Sequence, residues 1–378
     1  MPLEVSASVP YGNVADVQIA KRPGEYEVSF AAHPHGGPEC LWFCFRIRRA
    51  GVRDPERSRL RLVLKYSENM LGGNNPATLR PVARGLNGRW ERLAPGSAEP
   101  LPDGRRNVVW NLEAPDPILD IAFCYPYGPP ELAALLEDCG GYWHSDTIGV
   151  SPNGRPIVRL SNRYGEPEST EPGLYLVSRQ HSAETTGSWV LDGLLRELAA
   201  HGDAAPLVWV IPFANMDGVM QGDYGKDNFP YDLNRAWGPV PMRHESLLIQ
   251  RDMQRWARRC SPLLAADFHS PGGCESDGIY CFLVHPKHCP EQYDQTLKWT
   301  GAVRSAMADE YASDNFERTA DYASRWETPN FTRGAADTFQ IAAFSMETPY
   351  GQSRDLVLTT EHYREAGAQT ARGFLAAG

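Results

Sequence analysis

The sequence predicts an α/β protein in two parts. An N-terminal antiparallel β-sandwich spans residues 1–125, and an α/β/α layered domain with a mixed, mostly parallel sheet spans residues 126–378. Three observations lead there. The first third reads as short strands between turns with no convincing amphipathic helix. From Pro172 onward strands and helices alternate. A chain of 378 residues is also long enough to bury two substantial cores.

In the first part the expected strands are Tyr26 to Phe30, Leu41 to Arg48, Leu60 to Lys65, Asn107 to Leu112 and Ile118 to Cys124. Alternation is clearest across Trp42-Phe43-Cys44-Phe45-Arg46-Ile47-Arg48, and Pro/Gly turns separate the runs. Tyr125-Pro126-Tyr127-Gly128-Pro129-Pro130 then ends the strands, and Glu131 to Asp138 takes up helical spacing. In the second part Leu174 to Ser178, Leu207 to Ile211, Leu263 to Phe268, Ile279 to Val284 and Ile341 to Met346 are the expected strands. Thr186 to Ala200 carries Trp189, Val190, Leu194 and Leu198 on one side and stops near Gly202, which predicts a helix. Ser246 to Arg259 and about Thr359 to Ala376 are the other two expected helices.

Composition narrows the partners. A net charge of −10 without a basic tract argues against a nucleic-acid backbone. No run approaches the roughly 18 uninterrupted apolar residues of a membrane span, and the N-terminus lacks a basic start with an apolar core. A soluble cytoplasmic protein is the expectation. Eight scattered cysteines without a CxxC pair do not call for structural disulfides.

The chemistry gathers at strand ends. After Leu174 to Ser178 the chain delivers His181 and Glu184, a His-x-x-Glu pair that can reach one metal ion. The same spacing recurs at His288 to Glu291, in a Pro-punctuated loop, and at His362 to Glu365, at the start of the last helix. Context separates them. His269 follows a second strand and Glu347 a third, and carboxyl ends of strands are where open α/β sheets place ligand sites. Period-two geometry puts Asp267 on the side of His269, where it could orient the imidazole. Between these lie Asn215-Met216-Asp217-Gly218-Val219 and Asp232-Leu233-Asn234-Arg235. A guanidinium with a neighbouring Asn suits a free carboxylate; the plainer alternative is a surface Arg235 paired with Asp232 and an Asx turn at Asn215.

Taken together, His-Ser-Ala-Glu at 181–184, Asn-Met-Asp-Gly-Val at 215–219, Asp-Leu-Asn-Arg at 232–235, Asp-Phe-His-Ser at 267–270 and Met-Glu-Thr at 346–348 resemble the zinc metallocarboxypeptidases. The similarity is to their cytosolic branch, which places a β-sandwich before the catalytic domain. The resemblance implies one Zn²⁺ held by His181, Glu184 and His269, Glu347 as general base, and Asn234 and Arg235 on the carboxylate of a peptide or amide substrate. It also implies an arginine that polarises the scissile carbonyl, but no Arg lies between Asn215 and Arg235. Lys226 is the only cation there. Tyr322 is the nearest candidate for the family's mobile capping tyrosine. Two other readings stand beside this one: a deacylase of small N-acyl amino acids of the aspartoacylase type, and a non-catalytic binding module on the same fold. Arg318, Arg325 and Arg333 could line a pocket for an acidic side chain, although arginines in a polar segment more often form a solvated face.

Overall fold

The computed structural model describes residues 3–49, 59–70, 75, 78–86, 88–113, 116–319 and 326–378. Ten strands come first. They are β1 (Leu3–Ser6), β2 (Ala15–Arg22), β3 (Glu25–Ala31), β4 (Cys44–Arg49), β5 (Arg59–Leu64), β6 (Val82–Gly85), β7 (Glu91–Arg92), β8 (Ser97–Pro100), β9 (Arg106–Glu113) and β10 (Ile118–Ala122). They form two five-stranded sheets, ordered β1-β4-β10-β6-β7 and β2-β3-β5-β9-β8. Every pairing is antiparallel except β3 with β5, which run parallel. Phe30 of one sheet meets Phe45 of the other at a ring separation of 4.7 Å, and both are fully buried. This contact closes the sandwich.

Helix α1 (Pro129–Asp138) follows, with proline in its first turn and the Glu131 carboxylate accepting from the Gly128 amide at 2.9 Å. Then come β11 (His144–Val150), β12 (Pro156–Ser161), β13 (Pro172–Ser178), α2 (Thr185–His201), β14 (Leu207–Ile211), α3 (Met216–Gln221), α4 (His244–Trp256) and β15 (Ser261–His269). The chain continues through β16 (Ile279–Leu283), α5 (Pro290–Ala306), β17 (Ala312–Thr319), α6 (Phe331–Phe339), β18 (Ala342–Glu347), a short ribbon of β19 (Gln352–Ser353) and β20 (Leu356–Val357), and α7 (Thr360–Ala377). Eight of these strands make one mixed sheet, ordered β11-β12-β14-β13-β15-β18-β16-β17. Its centre, β14-β13-β15-β18, is parallel.

Side-chain alternation along β13 shows the layering. Leu174 and Leu176 face a core that contains α2, α7 and the sandwich, whereas Tyr175 and Val177 face one built with Trp256 of α4 and Phe331 of α6. Both faces are covered, so the central strands read as continuous apolar runs. β13 is also where the topology reverses: β14 lies on one side of it and β15 on the other. The crevice at their carboxyl ends is the place for a ligand.

Candidate metal centre

His181 and Glu184 sit in the turn between β13 and α2, and His269 ends β15. Their ligating atoms lie within 4.8 Å of one another. The close approach needs Gly187 in the first turn of α2, because a Cβ there would stand 2.6 Å from the Phe268 carbonyl oxygen and 3.0 Å from the His269 amide nitrogen. Nothing larger lets the helix start against the strand end.

The hydrogen-bond pattern of the two imidazoles is the informative part. His181 Nδ1 lies 2.8 Å from Glu184 Oε1, and His269 Nδ1 lies 2.6 Å from Glu184 Oε2. On the far side, His181 Nε2 is 3.3 Å from Asp232 Oδ1, and His269 Nε2 contacts Asp267 Oδ2. Each ring is therefore flanked by carboxylate oxygens at both nitrogens, and all five residues are buried. A neutral imidazole owns one N–H and can satisfy only one of its two neighbours. The remaining nitrogen needs either a second proton or a cation. Burial opposes protonation of His181, but Glu184 and Asp232 outweigh it and raise its pKa. For His269 burial is likewise outweighed, here by Asp267 and Glu184, and the pKa rises well above the ordinary value. With Nε2–H donated to Asp232 and Asp267, both Nδ1 lone pairs and the Glu184 carboxylate converge on one point. That donor set, two imidazoles and a carboxylate, fits a zinc ion.

A second ring of residues holds these side chains. Gln180 donates to Asp267 and to Asn234 Oδ1 at 3.2 Å, and accepts from the Trp237 indole at 2.6 Å. Asp232 accepts from the amides of Asn234 at 2.7 Å and Asp227 at 3.0 Å. The Arg179 guanidinium is buried, bonds the carbonyls of Ser182 and Tyr127, and ties down the turn that carries His181. Asp267 was predictable from period two. Asp232, Gln180 and Arg179 were not, since nothing in their local pattern says which histidine or turn they return to.

Glu347 ends β18 directly beside His269 in register. Its Oε2 is buried without a hydrogen-bond partner. Burial pushes its pKa up to about 7; the charges of His269, Lys226 and His181 oppose the shift, and Glu184 adds to it. Lys226 is half-buried, in a segment joined to the metal-site turn by the bond from the Ala183 amide to the Tyr224 carbonyl, 3.0 Å. Asn234 is buried, with Oδ1 accepting from the Phe331 amide at 3.0 Å and its amide nitrogen 3.1 Å from His269 Nε2. Arg235 is half-buried, with one guanidinium nitrogen donating to the Asn234 carbonyl at 2.7 Å. Asn215 caps α3, accepting from the Gly218 amide at 3.1 Å.

The other sequence candidates lie elsewhere. His362 caps α7 with Thr359, and His288 stands in the turn before α5 with its ring 5.8 Å from that of His285. Neither belongs to a group able to hold a metal among the described residues. Arg333 pairs with Asp337 on α6, while Arg318 stacks 3.5 Å from the Tyr280 ring centre, and Tyr280 is the strand partner of Glu347. Tyr322 and Arg325 lie outside the described residues.

No family model matches the chain. Among curated proteins it is 26% identical over 313 residues to cytosolic carboxypeptidase 2 of Xenopus tropicalis, covering 73% of this chain and 32% of that protein. It is 26% identical over 314 residues to cytosolic carboxypeptidase 1 of Mus musculus, covering 71% of this chain and 25% of that protein. It therefore spans about a third or less of these relatives' length. Cytosolic carboxypeptidase 6 of Caenorhabditis elegans is 22% identical over 339 residues, covering 82% of this chain and 71% of that protein. Among solved structures, a metallo-carboxypeptidase from Burkholderia cenocepacia superposes with a TM-score of 0.80 at 17% identity, over 100% of this chain and 99% of that one. A metallo-carboxypeptidase from Pseudomonas aeruginosa in complex with (2-guanidinoethylmercapto)succinic acid gives 0.75 at 18% identity, over 99% and 98%. No helix of the described residues is long and apolar enough to cross a membrane. In fold the chain is therefore like the solved metallo-carboxypeptidases, and in sequence it is similar to the cytosolic carboxypeptidases.

Proposed function

We propose that the protein is a zinc-dependent carboxypeptidase of the cytoplasm that hydrolyses the C-terminal amide bond of a peptide, with His181, Glu184 and His269 as metal ligands. The observation that carries this reading is the pair of imidazoles with carboxylates at both nitrogens, their Nδ1 atoms converging on Glu184. A metal ion bound there supplies Lewis acidity toward a carbonyl oxygen and a water molecule. Glu347 takes the proton of the attacking water and passes it to the leaving amine, tasks that suit a carboxyl group titrating near neutrality. Lys226 presents positive charge to the oxyanion that develops on the carbonyl. Arg235, with Asn234 beside it, receives the substrate's terminal carboxylate. The carboxypeptidase names of the relatives favour this reading over deacylation of N-acyl amino acids.

The test is digestion of an equimolar mixture of synthetic peptides that differ in the C-terminal residue, each made as the free acid and as the amide, read by mass spectrometry. Release of single residues from the free acids alone is expected. A protein with stoichiometric zinc that cleaves none of them, but deacylates N-acyl amino acids, would sink the proposal.

A further inference from the structure

The segment that carries Lys226 is gripped from the sandwich side. Asn13, in the turn before β2, is buried, and its side-chain amide donates to the Gly222 carbonyl at 2.8 Å and to the His33 carbonyl at 2.9 Å. Its Oδ1 accepts from the His33 amide at 2.8 Å, so one side chain joins both sandwich loops to the segment. His35 donates from Nδ1 to Asp223 Oδ1 at 2.9 Å. The Phe229 amide closes the far end by donating to the Gly36 carbonyl at 3.0 Å.

Two glycines allow this closeness. Gly222 has φ +73°, and a Cβ there would lie 2.6 Å from the carbonyl oxygens of Tyr11 and Gly12. A Cβ on Gly37 would lie 2.3 Å from Asn228 Oδ1 and 3.3 Å from the Lys226 carbonyl oxygen. From the opposite side, Gly225 has φ +84° and sits against Ser182, where a Cβ would meet the Ser182 amide nitrogen at 2.5 Å. Residues 222–229 are thus a strip held between the sandwich and the metal-site turn. A lysine lacks the rigid fork of an arginine, so its place depends on the backbone beneath it.

We propose that Asn13 and His35 of the β-sandwich are positioning residues for Lys226, acting through the backbone of residues 222–229. The inference rests on the reading of Lys226 as the group that faces the developing oxyanion. Under it the sandwich is part of the catalytic apparatus: it replaces the stiffness lost when lysine stands in for a planar guanidinium.

A double-mutant cycle on the full, zinc-loaded chain tests this, with the synthetic peptide mixture as probe. Lys226→Met lowers kcat about 10- to 100-fold. His35→Ala lowers kcat about five- to tenfold with KM within about twofold, and His35→Gln, which keeps a donor for Asp223, recovers most of the loss. In the Lys226→Met background His35→Ala has no further effect, because both substitutions remove the same contribution. Hydrogen exchange at residues 223–229 rises in His35→Ala and in Asn13→Ala while zinc content stays the same. If Asn13→Ala does not fold, the His35 variants decide alone. Multiplicative losses in the double variant, or unchanged exchange and kcat in His35→Ala, overturn the inference and leave the assignment of Lys226 standing. Wild-type turnover by Lys226→Met overturns that assignment, and the inference with it.

Discussion

Glu347 and the two histidines stand close together but are held by different forces, and their variants separate accordingly. Glu347 is no part of the convergent donor set; its Oε2 is buried and unpartnered beside it. Glu347→Gln preserves shape and removes the proposed base, so it is expected to bind zinc stoichiometrically and to lose turnover by at least about a hundredfold. Metal analysis and peptide hydrolysis on the same sample check it, and full hydrolysis by the variant would refute the assignment. Asp232 acts at one remove. Its carboxylate holds the Nε2 side of His181, and its own pKa is lowered: burial pushes it up, but the charge of His181, hydrogen bonds and Arg235 prevail. Asp232→Ala should weaken zinc binding by about 10- to 100-fold, measured by competition with a chromophoric chelator. At this scale the residues that end strands were legible, because a strand end and its polar residue are one local pattern. Asp232 and Gln180 were not, because each acts on a partner many residues away, and Arg179 was not, because its bond to the nearby Ser182 carbonyl depends on a turn that the local pattern does not announce.

Elements were legible in proportion to their burial. β13, β14 and β15 are apolar on both faces and stand out, and β14 has the predicted bounds, Leu207–Ile211. β2 (Ala-Asp-Val-Gln-Ile-Ala-Lys-Arg) is an exposed edge strand whose short alternation at Ala15, Val17 and Ile19 faces no core, and β17 (Ala-Ser-Asp-Asn-Phe-Glu-Arg-Thr) is a polar edge strand of the large sheet without an apolar period. α6 has nine residues with Gly334 inside, too short and too interrupted to read as a helix. Two predictions belong here. Gly187→Ala drives a methyl group into the Phe268 carbonyl, so α2 must retreat from β15; a loss of about 1–3 kcal/mol in stability and weaker zinc binding are expected from denaturant titration with and without chelator. The second concerns α4. Its Asp252 is buried against Arg159 and accepts from the Tyr175 hydroxyl at 2.9 Å. Burial raises its pKa to about 6, against the pull of Arg159. Between roughly pH 4 and 6 the folded state then holds more protons than the unfolded one, so this group's contribution to stability declines as pH rises through that window. Asp252→Asn should flatten the dependence in denaturation curves at pH 4.5 and 7, and an unchanged slope would count against the shift.

Across the whole molecule, the change of architecture near residue 125 does not divide the core. Phe30, Phe43 and Phe123 of the sandwich belong to the same buried cluster as Trp189, Tyr350 and Tyr363 of the second part. The Phe123 ring meets that of Tyr350 at 4.9 Å, and the Trp189 indole donates to the Tyr125 carbonyl at 3.2 Å. Arg92 of β7 donates to the Leu358 carbonyl at 3.2 Å and to the Tyr363 hydroxyl at 3.1 Å while stacked 4.5 Å from the Tyr125 ring centre. Separating the two parts would strand that guanidinium and expose a continuous apolar surface, costs that favour unfolding together. The division at 125/126 is accordingly proposed as a boundary of layer type and not of folding unit. One thermal transition is expected, coincident by far-ultraviolet circular dichroism and tryptophan fluorescence, and Arg92→Ala should shift it to lower temperature without splitting it. Added zinc should raise it, because only the folded chain brings His181, Glu184 and His269 together. Two resolved transitions, one of them indifferent to zinc, would show instead that the sandwich folds alone.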